Sequence, residues 1–133
     1  MYKKTLTYTD YNGIEKTEDF YFNLTMAELA EMQNSINGGL DEVLDKITKS
    51  KDQVSIVSYF RQLLLKSYGE KTGDGRFVKN QEVRDRFEST AAYSELFMLF
   101  ATDDEEASAF INGVIPKNAK GANKEPIIKL PLN

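Results

Sequence analysis

The chain contains no histidine and no cysteine. Histidine is the usual side chain for proton transfer near neutral pH, and cysteine is the strongest common nucleophile. A Ser-His-Asp relay and any zinc site built on histidine or cysteine are therefore excluded. Carboxylates, lysines and hydroxyls remain. The run Asp103-Asp104-Glu105-Glu106 offers four carboxylates to a cation. Successive helical residues diverge by about 100° and do not converge on one ion. Acids in a first helical turn complement the helix dipole instead. Gly73-Asp74-Gly75 has the look of part of a calcium loop. Such a loop needs oxygen ligands at alternating positions and a closing glutamate. Arg76, Phe77 and Val78 follow instead, so the segment reads as a tight turn, and it lacks the phosphate-loop spacing. Glu18 with Asp19, and Glu28 with Glu31, are acid pairs of the kind any acidic surface presents. The expectation is a protein with no catalytic residue, no metal and no cofactor.

Composition narrows the class further. A chain of 133 residues, 41% hydrophobic, suits one domain able to bury its own core. The lack of cysteine fits an intracellular protein. The net charge is −4. From Lys117 to Asn133, four lysines against one glutamate leave that segment at +3 and the preceding chain at −7. An acidic body without a basic stripe argues against a nucleic-acid partner. The first residues lack the apolar core of a secretory signal, and no apolar run approaches the roughly 18 residues of a membrane span. No membrane partner is expected.

The elements follow from periodicity. Residues 2–9 and 14–24 alternate apolar and polar side chains on either side of Asp10-Tyr11-Asn12-Gly13, which predicts a β-hairpin. A two-residue turn would put Leu6 and Tyr8 on the face opposite Phe20 and Phe22. A three-residue loop, Tyr11-Asn12-Gly13, puts Tyr2, Leu6, Tyr8, Phe20 and Phe22 on one face. One buried face fixes register, so the three-residue loop is expected, with Gly13 left-handed. Thr25-Met26-Ala27-Glu28 is a capping box, with Leu24 and Leu29 placed for a hydrophobic staple. It opens a helix to about Ile36, ended by Asn37-Gly38-Gly39. A short helix is predicted from Leu40 to about Thr48. Ser50-Lys51-Asp52-Gln53 starts a helix to Tyr68 with Val54, Val57, Phe60, Leu64 and Tyr68 on its stripe, widened by Ile56, Leu63 and Leu65. Gly69–Gly75 reads as a loop and Arg76-Phe77-Val78 as a short extended segment. Asn80 caps a helix to about Glu88, and Thr90 opens another to Ala101 carrying Tyr93, Leu96, Phe97 and Phe100. Thr102-Asp103-Asp104-Glu105 reads as a further capping box. Its helix carries Ala107, Phe110 and Ile111 and stops at Asn112-Gly113, with Pro116 beyond. The fold class is α+β, mostly α: an N-terminal hairpin (residues 2–24) and five or six helices in a compact bundle (25–115). One globular domain spans residues 1–116, followed by an extended tail, 117–133.

Seven tyrosines and eight phenylalanines stand out, six of them in the hairpin. That exceeds what one face of a two-stranded ribbon needs, and Tyr21 lies on the face opposite Phe20 and Phe22. Aromatics act as rigid anchors at interfaces. A protein–protein surface near the hairpin competes with simple core packing, and the hairpin edges are free to pair with another copy.

A family resemblance joins these segments. Tyr8-Thr9-Asp10-Tyr11-Asn12-Gly13, Glu18-Asp19-Phe20-Tyr21-Phe22-Asn23-Leu24-Thr25, Leu65-Lys66-Ser67-Tyr68-Gly69-Glu70-Lys71, Ala92-Tyr93-Ser94-Glu95-Leu96-Phe97, Ala101-Thr102-Asp103 and Ala109-Phe110-Ile111-Asn112-Gly113-Val114-Ile115-Pro116 together resemble tail assembly chaperones of long, non-contractile-tailed bacteriophages of Gram-positive hosts. The resemblance spans residues 1–116 in order, and the segment from Lys117 departs from it. It implies a binding protein, not an enzyme, that holds the tape measure protein soluble during tail tube assembly. It also implies self-association, and contact with the tail tube protein, which in that family is made by an extra C-terminal domain of the longer form. The expected setting is the host bacterial cytoplasm, with the protein absent from the mature virion. A chain ending at Asn133 resembles the short form of proteins that many phages also make in a longer, frameshifted form. Client helices would dock on exposed aromatics of the hairpin and of the helix at 90–101, which selects Tyr8, Tyr11, Tyr21, Tyr93, Phe97 and Phe100. The alternative is a structural tail or connector protein retained in the virion.

Overall fold

The computed structural model describes residues 1–35 and 53–116. Strands β1 (Tyr2–Thr9) and β2 (Glu15–Phe22) form the expected hairpin. The Asp10 N–H donates to the Ile14 carbonyl (2.9 Å), and the Gly13 N–H donates to the Asp10 carbonyl (2.9 Å). Gly13 has φ +81°, which a side chain would resist. The register runs from Thr9 opposite Glu15 to Tyr2 opposite Phe22, so the three-residue loop is present. Asp10 locks it through its side chain, which accepts the N–H groups of Asn12 and Ile14 (both 2.9 Å). Ile14, however, falls beyond the packed part of the face and is 56% exposed.

The sheet is larger than a hairpin. Helix α1 (Met26–Ser35) opens on the Thr25–Glu28 capping box: the Glu28 N–H donates to Thr25 Oγ1 (3.1 Å) and the Thr25 N–H to Glu28 Oε1 (2.9 Å). Helix α2 (Gln53–Ser67) gives way to strand β3 (Tyr68–Lys71), which turns into β4 (Phe77–Val78). The strand order is β1-β2-β3-β4. The expected loop at Gly69–Gly75 is therefore half strand, and Tyr68 belongs to that strand rather than to the helix. Pairing with β2 is the cause: Tyr21 lies opposite Gly69, Phe22 opposite Tyr68, and the Asn23 N–H reaches the Ser67 carbonyl (2.8 Å). The β3–β4 turn repeats the first one. The Thr72 N–H donates to the Arg76 carbonyl (2.9 Å) and the Gly75 N–H to the Thr72 carbonyl (3.2 Å). Gly73-Asp74-Gly75 is thus the tight turn expected.

Helices α3 (Gln81–Glu88), α4 (Ala91–Thr102) and α5 (Asp104–Val114) complete the described chain, making five helices there. Asn80 and Thr90 cap α3 and α4 as expected, accepting the N–H groups of Val83 and Tyr93. The third box is shifted by one residue. Thr102 ends α4 with its hydroxyl on the Met98 carbonyl (2.7 Å), and Asp103 is the cap, accepting from the N–H groups of Glu105 and Glu106. Helix α5 also runs through Asn112-Gly113 to Val114. Gly113 serves close packing instead of ending the helix: a Cβ there would stand 2.8 Å from the Tyr2 Cβ.

Helices α3 to α5 lie on one face of the sheet, and the contacts are aromatic. Phe110 is fully buried, stacked on Phe100 at 4.8 Å, with Phe22, Phe60 and Tyr2 at 5.4–5.7 Å. Tyr68 stacks on Phe87 at 3.9 Å. The second predicted helix (40–48), the Asn37-Gly38-Gly39 stop, the start signal at Ser50-Lys51-Asp52 and the tail from Lys117 lie outside the described residues.

Candidate interaction surface

Several of the acidic groups considered for chemistry have a structural task. Asp103 caps α5, and Glu106 pairs with Lys4 of β1 at 3.0 Å. Glu18 accepts the Tyr8 hydroxyl, and Asp19 accepts the Thr5 hydroxyl at 2.6 Å. Glu28 closes the capping box and also receives Lys79 at 2.6 Å. Burial pushes the Lys79 ammonium below its usual range, and Glu28 works in the opposite direction. The Lys79 Nζ also donates to the Asn23 carbonyl (2.7 Å), so this ion pair fastens the end of β4 to the start of α1.

The six aromatics expected at an interface divide by burial. Tyr8 and Phe100 are core residues and are removed from the candidate surface. Tyr8 lies against Phe20, and Phe100 sits among Phe110, Phe60 and Tyr2. The reason is the register: even-numbered β1 residues face the helices, and Phe100 lies on the side of α4 turned toward the sheet. Tyr11 is 78% exposed at the hairpin turn. Tyr21 is half-buried on the other sheet face, with the Lys71 ammonium 4.8 Å from its ring centre. Tyr93 and Phe97 are half-buried one turn apart on α4, with ring centres at 6.1 Å. Phe97 also meets Phe60 of α2 edge to face at 6.2 Å. Burial pushes the Tyr93 hydroxyl above its usual value.

The structure adds apolar side chains that periodicity had assigned to the core or passed over. Val57, one turn before Phe60 on α2, is 45% exposed, and Met98, next to Phe97 on α4, is 54% exposed. Tyr93 and Phe97 form an apolar margin of α4 beside α2, while Val57 and Met98 stand exposed elsewhere on the two helices. Arg61 and Glu88 form an ion pair that ties α2 to α3 close to Tyr93. Ile14 joins Tyr11 in a second, smaller exposed set at the hairpin turn. Val57 shares the helical stripe of Phe60 and Leu64, so periodicity places it in the core, whereas the structure leaves it at the rim. Met98 lies off the α4 stripe, where periodicity gives no signal. The chemistry available to these surfaces is apolar contact with a methionine that adapts its shape, not bond making. No helix among the described residues is long and apolar enough to cross a membrane.

A family model described as phage tail assembly chaperone matches residues 1–127. The match covers every described element and continues past Pro116, where the resemblance read from sequence stopped. No curated protein and no solved structure matches the chain.

Proposed function

We propose, from the premise that this chain belongs to the phage tail assembly chaperone family, that it binds the tape measure protein and keeps it soluble while the tail tube is built. That family is not an enzyme family, and protein partners in tail assembly follow from membership. The single observation that carries the finer reading is the half-open apolar margin of α4 beside α2, formed by Tyr93 and Phe97, with Val57 and Met98 exposed elsewhere on the same two helices. A tape measure protein is long and helical. An amphipathic helix of such a client can lay its apolar stripe on this margin, one of the recurrent modes of peptide recognition. Tyr11 and Tyr21 of the hairpin form the secondary contact. The acidic body suits a holdase, because net charge keeps a client-loaded complex in solution. The tail tube protein is the second partner. Self-association lets many copies coat one long client. The protein acts in the host bacterial cytoplasm and leaves before the virion is complete.

Co-expression with the tape measure protein tests the reading. The client is expected in the soluble fraction only when this chain is present, and to co-purify with it. A client that stays insoluble would overturn the proposal. Mass spectrometry of purified virions addresses the remaining point: abundant copies in mature particles would make this a structural tail protein.

A further inference from the structure

The hydrogen-bond phase of the hairpin decides which backbone groups of β1 face outward. Asp10 and Ile14 form a hydrogen-bonded pair through the Asp10 N–H. The register is continuous from there, so even-numbered β1 residues bond to β2. Lys3, Thr5, Thr7 and Thr9 therefore turn their N–H and C=O groups away from the sheet. β1 stands at the edge of the sheet order, and among the described residues no backbone group pairs with its outer side.

This edge is poorly guarded. Exposed edges are normally blunted by charge, proline or a bulge. The register shows no bulge, and from Thr5 to Thr9 the strand carries neither proline nor charge. Lys4 points to the helix-covered face, where Glu106 takes up its charge. The other side of the hairpin contrasts sharply. Beyond the part of β2 paired with β3, Glu15, Lys16, Glu18 and Asp19 make a charged edge.

We infer that β1 is a self-pairing edge: two copies of this chain join β1 to β1 antiparallel, making one continuous sheet across a two-fold axis. The inference deepens the self-association proposed above and rests on it. The occupant is a second copy because the strand is complementary to itself in only one sense. Parallel pairing would set Lys3 and Lys4 beside their own counterparts. Antiparallel pairing about Leu6 sets Lys3 opposite the partner's Thr9 and Thr5 opposite the partner's Thr7. All four outward residues of each copy are then used, for about eight backbone hydrogen bonds. Thr5 and Thr7 meet on the solvent face, as Thr7 and Thr17 already do within the hairpin at 2.8 Å. Lys3 lies on the same face as the partner's Glu15, two strands away, since Thr9 stands opposite Glu15 in the register. Leu6 meets the partner's Leu6 on the axis. A two-fold contact of this kind closes on itself and gives a discrete dimer.

Sedimentation of the full chain tests this with two variants, and cross-linking with two more. The wild type is expected to sediment at twice the chain mass. Thr7→Pro removes an outward donor that the hairpin does not use, and the double variant T5K/T7K sets lysine opposite lysine. Either is expected to weaken the dimer at least roughly ten-fold while circular dichroism retains the wild-type spectrum. The chain has no cysteine, so Leu6→Cys gives a clean cross-link. It is expected to form a disulfide-linked dimer under mild oxidation, whereas Thr17→Cys on β2 is not. A wild-type monomer, or a dimer that T5K/T7K leaves intact, would overturn the inference. So would a monomer that dimerises only after removal of residues 117–133, which would assign the edge to the chain's own C-terminal segment. Client solubility is read separately: a monomeric variant that still solubilises the tape measure protein leaves the client reading standing.

Discussion

Replacing Met98 by aspartate separates client binding from folding. Met98 is 54% exposed on α4, so about half of its apolar surface is already in water in the free chain. Aspartate there is solvated, and a surface change away from caps and ion pairs shifts stability by about 0.5 kcal/mol or less. In a complex the same position is covered. Full burial of a methionine side chain is worth about 1.5–3 kcal/mol, so the exposed half contributes on the order of 1 kcal/mol to binding. The carboxylate adds a desolvation penalty of at least similar size once it is covered by the apolar stripe of a client helix. A loss of about 2 kcal/mol or more follows, roughly 30-fold in Kd. The assay is titration of purified chaperone with a fluorescent peptide spanning an amphipathic helix of the tape measure protein, run beside thermal unfolding. Unchanged Tm with weakened binding is expected. Wild-type affinity for Met98→Asp would refute the placement of the client on the exposed face of α4. Loss of binding on Tyr11→Asp alone would move it to the hairpin turn.

Three further outcomes follow from the core and its protons. Phe110→Ala empties the centre of the aromatic cluster and should destabilise the fold by about 3–5 kcal/mol, visible in calorimetry as a fall in Tm of roughly 10 °C or more. Gly113→Ala should lower Tm even though alanine favours a helix interior by about 1 kcal/mol, because the new methyl would stand 2.8 Å from the Tyr2 Cβ; a raised Tm would refute the contact. The Tyr8 hydroxyl is pushed up to about 12 by its hydrogen bond to Glu18, then by burial, and Tyr68 to about 12 by burial, then by Glu70. Both values exceed the unfolded value of 10.0, so this stabilisation is fully present below pH 10 and is lost as pH rises from 10 toward 12. Denaturant unfolding against pH should show that decline, and Glu18→Gln should let Tyr8 ionise at lower pH, read by tyrosinate absorbance.

Local signals carried much of the fold. The three-residue turn was legible because only that register gathers Tyr2, Leu6, Tyr8, Phe20 and Phe22 on one face. The caps at Thr25, Asn80 and Thr90 were legible because a helix start satisfies its free N–H groups within three residues. Strand β3 was not legible. Tyr68-Gly69-Glu70-Lys71 has no alternating apolar run and contains a glycine, and it is a strand only because β2 lies beside it. A hint existed in the turn, where Gly75 holds the place that Gly13 holds in the first hairpin. The shift of the cap from Thr102 to Asp103 had a similar origin, since either side chain can cap and the length of α4 chose between them.

The candidate surface divides along the same line. Sequence by itself determined the absence of histidine and cysteine chemistry, the hairpin register, the order of the segments that mark the family and the surplus of aromatics. These depend on residue identity and on neighbours within a few positions. Only the tertiary structure decided which aromatics are spent on the core. Tyr8 and Phe100 are the same residue types as Tyr11 and Phe97, yet the first pair is enclosed between sheet and helices while Tyr11 is open at the turn and Phe97 half-open. Burial is a property of what packs across from a residue, and that partner is distant in the chain: Tyr2 and Phe60 for Phe100, and nothing among the described residues for most of Tyr11.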